Sequence, residues 1–359
     1  MKELPDFLKE DLIKFNERIE PGSKLTALRV GLLNYYETYN ASTGSFLNYF
    51  QETPSKIKLS LSTGHSYLMN YYSSIIFFHL SFEQFIIEIL ESISPVLSRL
   101  VLRKELDLIA VLGGKIESIE TTNRPNIDYS VALNRIEGLI KNRNVLPANY
   151  QIDTKYDFLA KGIETLRHLA TLRNDIIHSG KETLNRYFYE YIFVNQILPL
   201  TREYLNTQKK YPLVERNLAC NLNALDEIIS HHLPEDYGTA SEYESLKMQL
   251  KRINHFKELG RASYHNPIHM FEEVNSNESK KLIEETFNKK QREEGVLRAK
   301  LRQEILNHYK IYKCPCCGSK SLTTYMLDAD CAICTYKINV NIGEPKQFGI
   351  MNESIFSYV

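Results

Sequence analysis

Two sets of side chains in this sequence have the types and spacing to do chemistry. The first is the run Arg173-Asn174-Asp175-Ile176-Ile177-His178. A histidine titrates near neutral pH and can take up or release a proton. An arginine presents a fixed fork of donors that matches a phosphate or carboxylate. Asn174 lies one helical turn before His178 and shares a helix face with it. The second set is Cys314-Pro315-Cys316-Cys317, followed after thirteen residues by Cys331-Ala332-Ile333-Cys334. Two C-x-x-C pairs at this separation can enclose one tetrahedral Zn²⁺ through Cys314, Cys317, Cys331 and Cys334. Four protein ligands leave no open coordination position, so such a site is structural rather than catalytic. Cys316 is a spare thiol, and a register that uses it as a ligand stays open.

The elements that must carry these residues can be read from the flanking pattern. Upstream of His178, Leu159, Ile163, Leu166, Leu169, Ala170, Leu172, Ile176 and Ile177 recur at three- and four-residue steps, the stripe of an amphipathic helix. Gly180 supplies a stop. On that helix Arg173 and His178 are five residues apart, about 140° around the axis at 100° per residue. They converge only if the helix bends or a second chain completes the site. Around the cysteines, Gly318 fits a tight turn, and residues 323–327 and 336–340 are β-prone. A segment of about 25 residues cannot build an adequate core alone, so the metal would supply folding energy.

The 173–178 run resembles the signature of the HEPN ribonucleases: an Arg, four to six residues, then a His, very often with Asn directly after the Arg. The resemblance covers residues 62–205. It implies a mainly α, HEPN-like helical bundle and metal-independent cleavage of RNA. In that chemistry a ribose 2′-OH attacks its own phosphate, leaving 2′,3′-cyclic phosphate and 5′-OH ends. His178 would be the acid/base, Arg173 the phosphate anchor and Asn174 an orienting or phosphate-contacting residue. The resemblance further implies a homodimer with facing motifs, and a toxin or anti-phage role held in check by a regulatory protein or nucleic-acid trigger. The cysteine segment resembles a zinc ribbon, a small β module. Its surroundings are not notably basic, which favours a protein or self-assembly contact over nucleic acid. The competing class is a non-catalytic RNA-, DNA- or protein-binding scaffold.

Bulk composition bounds these readings. At 359 residues and 43% hydrophobic content the chain can form two or three domains with a sizeable core. Equal numbers of basic and acidic residues, 44 of each, exclude a whole-chain basic field, so contact with RNA must be local. Residues 74–90 are the most apolar stretch, but they hold His79, Glu83, Gln84 and Glu88, which argues against a lipid-spanning helix. The polar, proline-broken start Met1-Lys2-Glu3-Leu4-Pro5-Asp6 and the clustered cysteines point to a cytoplasmic protein.

In chain order, the pattern divides into a helical extension over 1–58, the bundle over 59–206, a charged helical region over 207–310, and the ribbon with its tail over 311–359. Within the first, residues 25–39 read as a helix and 40–45 as a turn. A long helix begins at Ser62-Thr63-Gly64, with Pro95 near its end. On it His79 and Glu83 are four apart, and Glu83 is a candidate supporting residue for the site. A second helix is expected over 97–112, a loop over 115–128, and a short helix over 131–140. The aromatic-rich segment 182–205 reads as a helix of core or dimer interface. Leu297, Leu301, Ile305 and Tyr309 step by four along one face, while 278–302 interleaves charges as a solvated face does. His265 and His269 have metal-pair spacing, but Asn266-Pro267 breaks a regular helix between them. Cys220 reads as a buried thiol.

Overall fold

A computed structural model describes residues 23–42, 65–99, 127–179, 186–207, 222–235, 240–265, 289–305 and 309–356. Residues 1–22, the Ser62-Thr63-Gly64 start, residues 100–126, Gly180, Cys220 and His269 lie outside them. The described chain is mainly helical, with one small antiparallel sheet near the C-terminus. It divides into two compact units. One comprises Met1–Val30 and Ile76–Ala170, the other Gly31–Ile75 and Thr171–Val359.

The first unit is built on the apolar stripes the sequence carries. Helix α1 (Ser23–Ser42) enters it with Ala27 and Leu28 buried. It runs three residues past the expected end at 39, through the start of the expected turn. Helix α2 (His65–Ile93) contributes Phe78, Phe82, Phe85, Ile86, Ile89 and Leu90 to the core. By length and mean hydropathy the segment Leu68–Ile93 could cross a membrane, but 61% of its most apolar window is buried inside the fold, as in a core helix. It stops where Pro95 starts the one-turn α3 (Pro95–Ser98), proline occupying the first turn, where its missing N–H is not needed. Helix α4 (Tyr129–Lys141) buries Ala132, Leu133, Ile136 and Leu139. Three 3₁₀ turns follow it, Arg143–Val145, Ala148–Tyr150 and Thr154–Tyr156. Helix α5 (Asp157–Ser179) comes next, burying Leu159, Ile163, Leu166 and Leu169 in this unit. Phe85 stacks on Phe158, and Arg167 pairs with Glu137 across the α4–α5 surface.

The second unit takes the C-terminal end of α5, the rest of α1, and the remainder of the chain beyond α5. The aromatic segment is not one uniform helix. Helix α6 (Arg186–Ile192) passes through a π-turn (Phe193–Ile197) into α7 (Leu198–Thr207). Its inner face carries Tyr189, Phe193 and Tyr204, and Tyr35 of α1 stacks on Phe193 with ring centroids 5.0 Å apart. The widened turn is pinned from outside by Asn195. Its amide donates to the Leu233 carbonyl at 2.7 Å, and its carbonyl oxygen accepts from the Leu233 N–H at 3.1 Å. Helix α8 (Leu222–Ile229) packs on α9 (Ala240–His265). Helix α10 (Lys289–Ile305) leads to the sheet.

The sheet is a four-stranded meander, β1 (Lys310–Lys313), β2 (Lys320–Tyr325), β3 (Asp328–Cys331) and β4 (Lys337–Asn339), in sequence order. Thr324 pairs with Lys310 on one side and Ala329 on the other, which brings both cysteine knuckles to the same end. Helix α10 lies on β2, with Arg302 reaching both Thr323 and Asp330. Leu297 and Leu301, which step by four along one face of α10, are both exposed. The buried positions are Gly295 and Ala299. Close packing is the reason: a Cβ at residue 295 would lie 2.2 Å from Ile333 Cγ1. Only glycine lets the helix lie this near the second knuckle.

Candidate functional site

The four cysteines Cys314, Cys317, Cys331 and Cys334 are all buried, and their Sγ atoms lie within 4.8 Å of one another. Cys314 and Cys334 approach to 3.5 Å, Cys317 and Cys331 to 3.6 Å. Each knuckle is shaped by its backbone. In the first, the Gly318 N–H donates to the Cys314 carbonyl at 2.9 Å with Gly318 at φ 69°, the left-handed conformation glycine adopts freely. In the second, the Thr335 N–H donates to the Cys331 carbonyl at 3.2 Å, and Thr335 itself holds φ 58°. The N–H groups of Ile333 and Cys334 both point at Cys331 Sγ, each at 3.4 Å, and the Ser321 hydroxyl lies 3.1 Å from it. Donors converging on a sulfur favour the thiolate form that a metal needs.

Hydrogen bonding from Cys314 pulls the Cys317 and Cys331 thiols down, while burial pushes Cys314 up and contact with Cys314 pushes Cys334 up. This donor set can hold a metal ion. Cys316 is equally buried but lies outside the four-sulfur group, with its Sγ 3.6 Å from Ser263 Oγ on α9. The register left open by the sequence is therefore the one that uses Cys314 and Cys317.

Behind the second knuckle stands α9, whose residues 253–263 are all buried despite their charge. Glu258 is 0% exposed and receives two hydrogen bonds from Arg261, both at 2.7 Å. The Arg261 guanidinium also donates to the Thr335 carbonyl at 2.5 Å, and the Lys337 N–H donates to Glu258. Burial pushes the Glu258 carboxyl up to about 7 against the pull of Arg261 and the Lys337 amide. Glu258 in turn holds the Arg261 guanidinium above its usual range in spite of burial. His255, one turn earlier, meets the Gly343 carbonyl at 3.1 Å and packs on Phe348, and burial pushes its imidazole down to about 4. Lys257, 1% exposed, faces the helices instead. Its ammonium bonds Glu190 of α6 and Thr38 of α1, and sits 4.2 Å from the centre of the Tyr35 ring. The Tyr35 hydroxyl donates to Glu190 at 3.1 Å. None of these ionic residues was singled out from the sequence, because Lys, Glu and Arg on a helix ordinarily mark the solvent side.

The 173–178 run ends α5 in the same unit. The helix stays regular through Ser179, so Arg173 and His178 remain about 140° apart around it. Arg173 is half-buried and donates to Asn174 Oδ1 at 2.8 Å, while Asn174 and His178 are exposed. Leu172 is buried, Ile176 is half-buried and Ile177 is exposed, so the apolar stripe gives out one turn sooner than its spacing implies. Nearby in sequence, Phe188 of α6 is also exposed. A single chain thus brings Arg173 to Asn174 but keeps His178 on another side of the helix.

Glu83 belongs to the first unit. It lies 3.8 Å from His79 Nδ1, and the His79 ring meets the edge of Tyr129. The Tyr129 hydroxyl is pushed up by burial and by the Glu83 charge. Compared with protein-family models, curated proteins and solved structures, the chain matches none.

Proposed function

We propose that this chain is a metal-independent endoribonuclease of HEPN type that works as a homodimer, with Zn²⁺ held structurally by Cys314, Cys317, Cys331 and Cys334. The observation that carries the catalytic half is the end of α5, where an Arg173–Asn174 pair and an exposed His178 stand at the close of a long amphipathic helix. His178 takes the proton of a ribose 2′-OH or returns one to the leaving 5′-oxygen. Arg173 stabilises the phosphorane as its charge grows, and Asn174 fixes the guanidinium through their hydrogen bond. Because one helix holds Arg173 and His178 on different sides, a two-fold axis near the motif supplies what one chain lacks. Exposed Ile177 and Phe188 give that interface its apolar contacts. The four-thiolate donor set and its small β module support Zn²⁺ as the metal. A cytoplasmic toxin or anti-phage effector, restrained by a protein or nucleic-acid trigger, is the role that the family resemblance implies.

The test incubates the full chain with cellular RNA in a chelator that removes magnesium, while elemental analysis verifies that the ribbon metal stays bound. Cyclic-phosphate ends from wild type but not from His178→Ala support the reading. Equal cleavage by both would overturn the role of His178. A second reading, a protein-binding scaffold without catalysis, has one observation in its favour. The β2–β3 turn presents Tyr325, Met326 and Leu327 outward, Met326 at 75% exposure. Intact RNA with wild type and mutant alike would favour it.

A further inference from the structure

The second knuckle and the helical packing around Lys257 share their supports. Four hydrogen bonds join the helices to the residues directly after Cys334: Arg261 to the Thr335 carbonyl and to the Thr335 hydroxyl, the Lys337 N–H to Glu258, and the Tyr39 hydroxyl to the Lys337 carbonyl at 2.9 Å. Three of the four involve α9 and the fourth α1. The same two helices meet again on their other sides. Lys257, the neighbour of Glu258, binds Glu190 and Thr38, while Tyr35, one turn before Tyr39, binds Glu190. Glu190 thereby connects to the knuckle by two short paths, one through Lys257 and Glu258, the other through Tyr35 and Tyr39. Every charged group on these paths is buried, so none can exchange a lost partner for water without the helices opening.

We propose that metal occupancy at the four-thiol centre is coupled through α9 and α1 to the packing of α6, so that the ribbon is a metal-dependent lock on the helices C-terminal to the 173–178 motif. The proposal rests on the reading of the four thiols as a structural metal site. Its logic is that of folding linkage. A ribbon this small holds its knuckles in place only with the ion bound. Without it, Thr335 and Lys337 lose their fixed positions, and Glu258 and Arg261 stay in a dry interior with part of their hydrogen bonding gone. The least costly response is for α9 to shift toward water, which draws Lys257 away from Glu190. Coupling of this kind is reciprocal: what loosens Glu190 must weaken metal binding by the same factor.

Hydrogen exchange on the full chain, with and without metal stripping verified by elemental analysis, reads the forward direction. Exchange over residues 35–39 and 187–192 is expected to speed up about tenfold or more on stripping. Helix α4 serves as the internal check that the chain has not simply unfolded. The reverse direction uses Glu190→Gln, which touches no ribbon residue, and competition for Zn²⁺ against a chromophoric chelator. Affinity is expected to fall about tenfold. Should Glu190→Gln fail to fold, Thr38→Val, which removes the other partner of Lys257, carries the same arm. Unchanged exchange over both segments in stripped protein, or unchanged Zn²⁺ affinity in the variant, would overturn the coupling and leave the metal site standing. Native protein that contains no metal and takes up no added Zn²⁺ would overturn the metal reading itself, and the lock with it.

Discussion

The cysteine ribbon with α9 and the exposed end of α5 lie in one unit and treat polar side chains in opposite ways. Around the ribbon, charges and thiols are buried and each is met by named partners: Glu258 by Arg261 and a backbone amide, the four sulfurs by one another. At the end of α5, Asn174 and His178 face solvent. The first arrangement exchanges adaptability for a fixed geometry. The second leaves its groups available to something that arrives from outside. Polar residues that fold a protein and polar residues that act on a substrate differ here in how completely their hydrogen bonds are already taken.

That contrast can be broken most severely at the metal. The double variant Cys331→Ser Cys334→Ser removes two of four ligands, and structural zinc contributes on the order of 10 kcal/mol or more to folding in small zinc domains. The expected outcome is complete loss of bound metal and of the sheet, read by elemental analysis and by amide exchange over β2 and β3. Retained metal would reverse the assignment. Next in size, Arg261→Ala leaves the buried Glu258 carboxyl and the Thr335 carbonyl without their guanidinium partner and should cost about 3–5 kcal/mol by denaturant melting. A cost under about 1 kcal/mol would mean that water reaches the pair.

Acid titration sharpens the same side of the comparison. The His255 imidazole sits at about 4 in the fold against 6.5 when free, so protonation favours the unfolded chain. Its contribution is whole above pH 6.5 and is lost as pH falls from there to about 4. The total is about 3 kcal/mol at 1.36 kcal/mol per unit. His255→Gln should flatten stability across that window. The smallest effect on folding is expected at the other region. Arg173→Ala and His178→Ala should each change stability by no more than about 0.5 kcal/mol. Both should nonetheless lower RNA cleavage by about a hundredfold or more. If either unfolds the chain, the end of α5 belongs with the structural residues after all.

The two regions were also legible to different degrees. Cysteine spacing is a local signal, and the C-x-x-C pairs, the Gly318 turn and the strands next to them could be read directly, because a knuckle closes within four residues. The angular separation of Arg173 and His178 came from helix geometry alone. The buried ions of α9 could not be read. Their partners lie at Glu190, Thr38, Thr335 and Lys337, far away in sequence, and composition assigns Lys257, Glu258 and Arg261 to the surface. The inward side of α10 was hidden for the converse reason: the helix buries positions that have almost no side chain, since Gly295 and Ala299 permit the closest approach.

The π-turn at 193–197 carries one more consequence. Such a turn holds an additional residue compared with an α-helical one, so it sets the rotational phase between the helix before it and the helix after it. Were the segment to close into a continuous α-helix with that residue retained, α6 would turn by about 100° relative to α7. Glu190 would swing out of reach of Lys257 and Tyr35, and Tyr189 would leave the face it shares with Phe193. Asn195, clasped to Leu233 through both atoms of its amide, keeps that surplus residue in place. A substitution that releases this clasp, such as Asn195→Leu, is therefore a larger insult to the molecule than most others along the same helix.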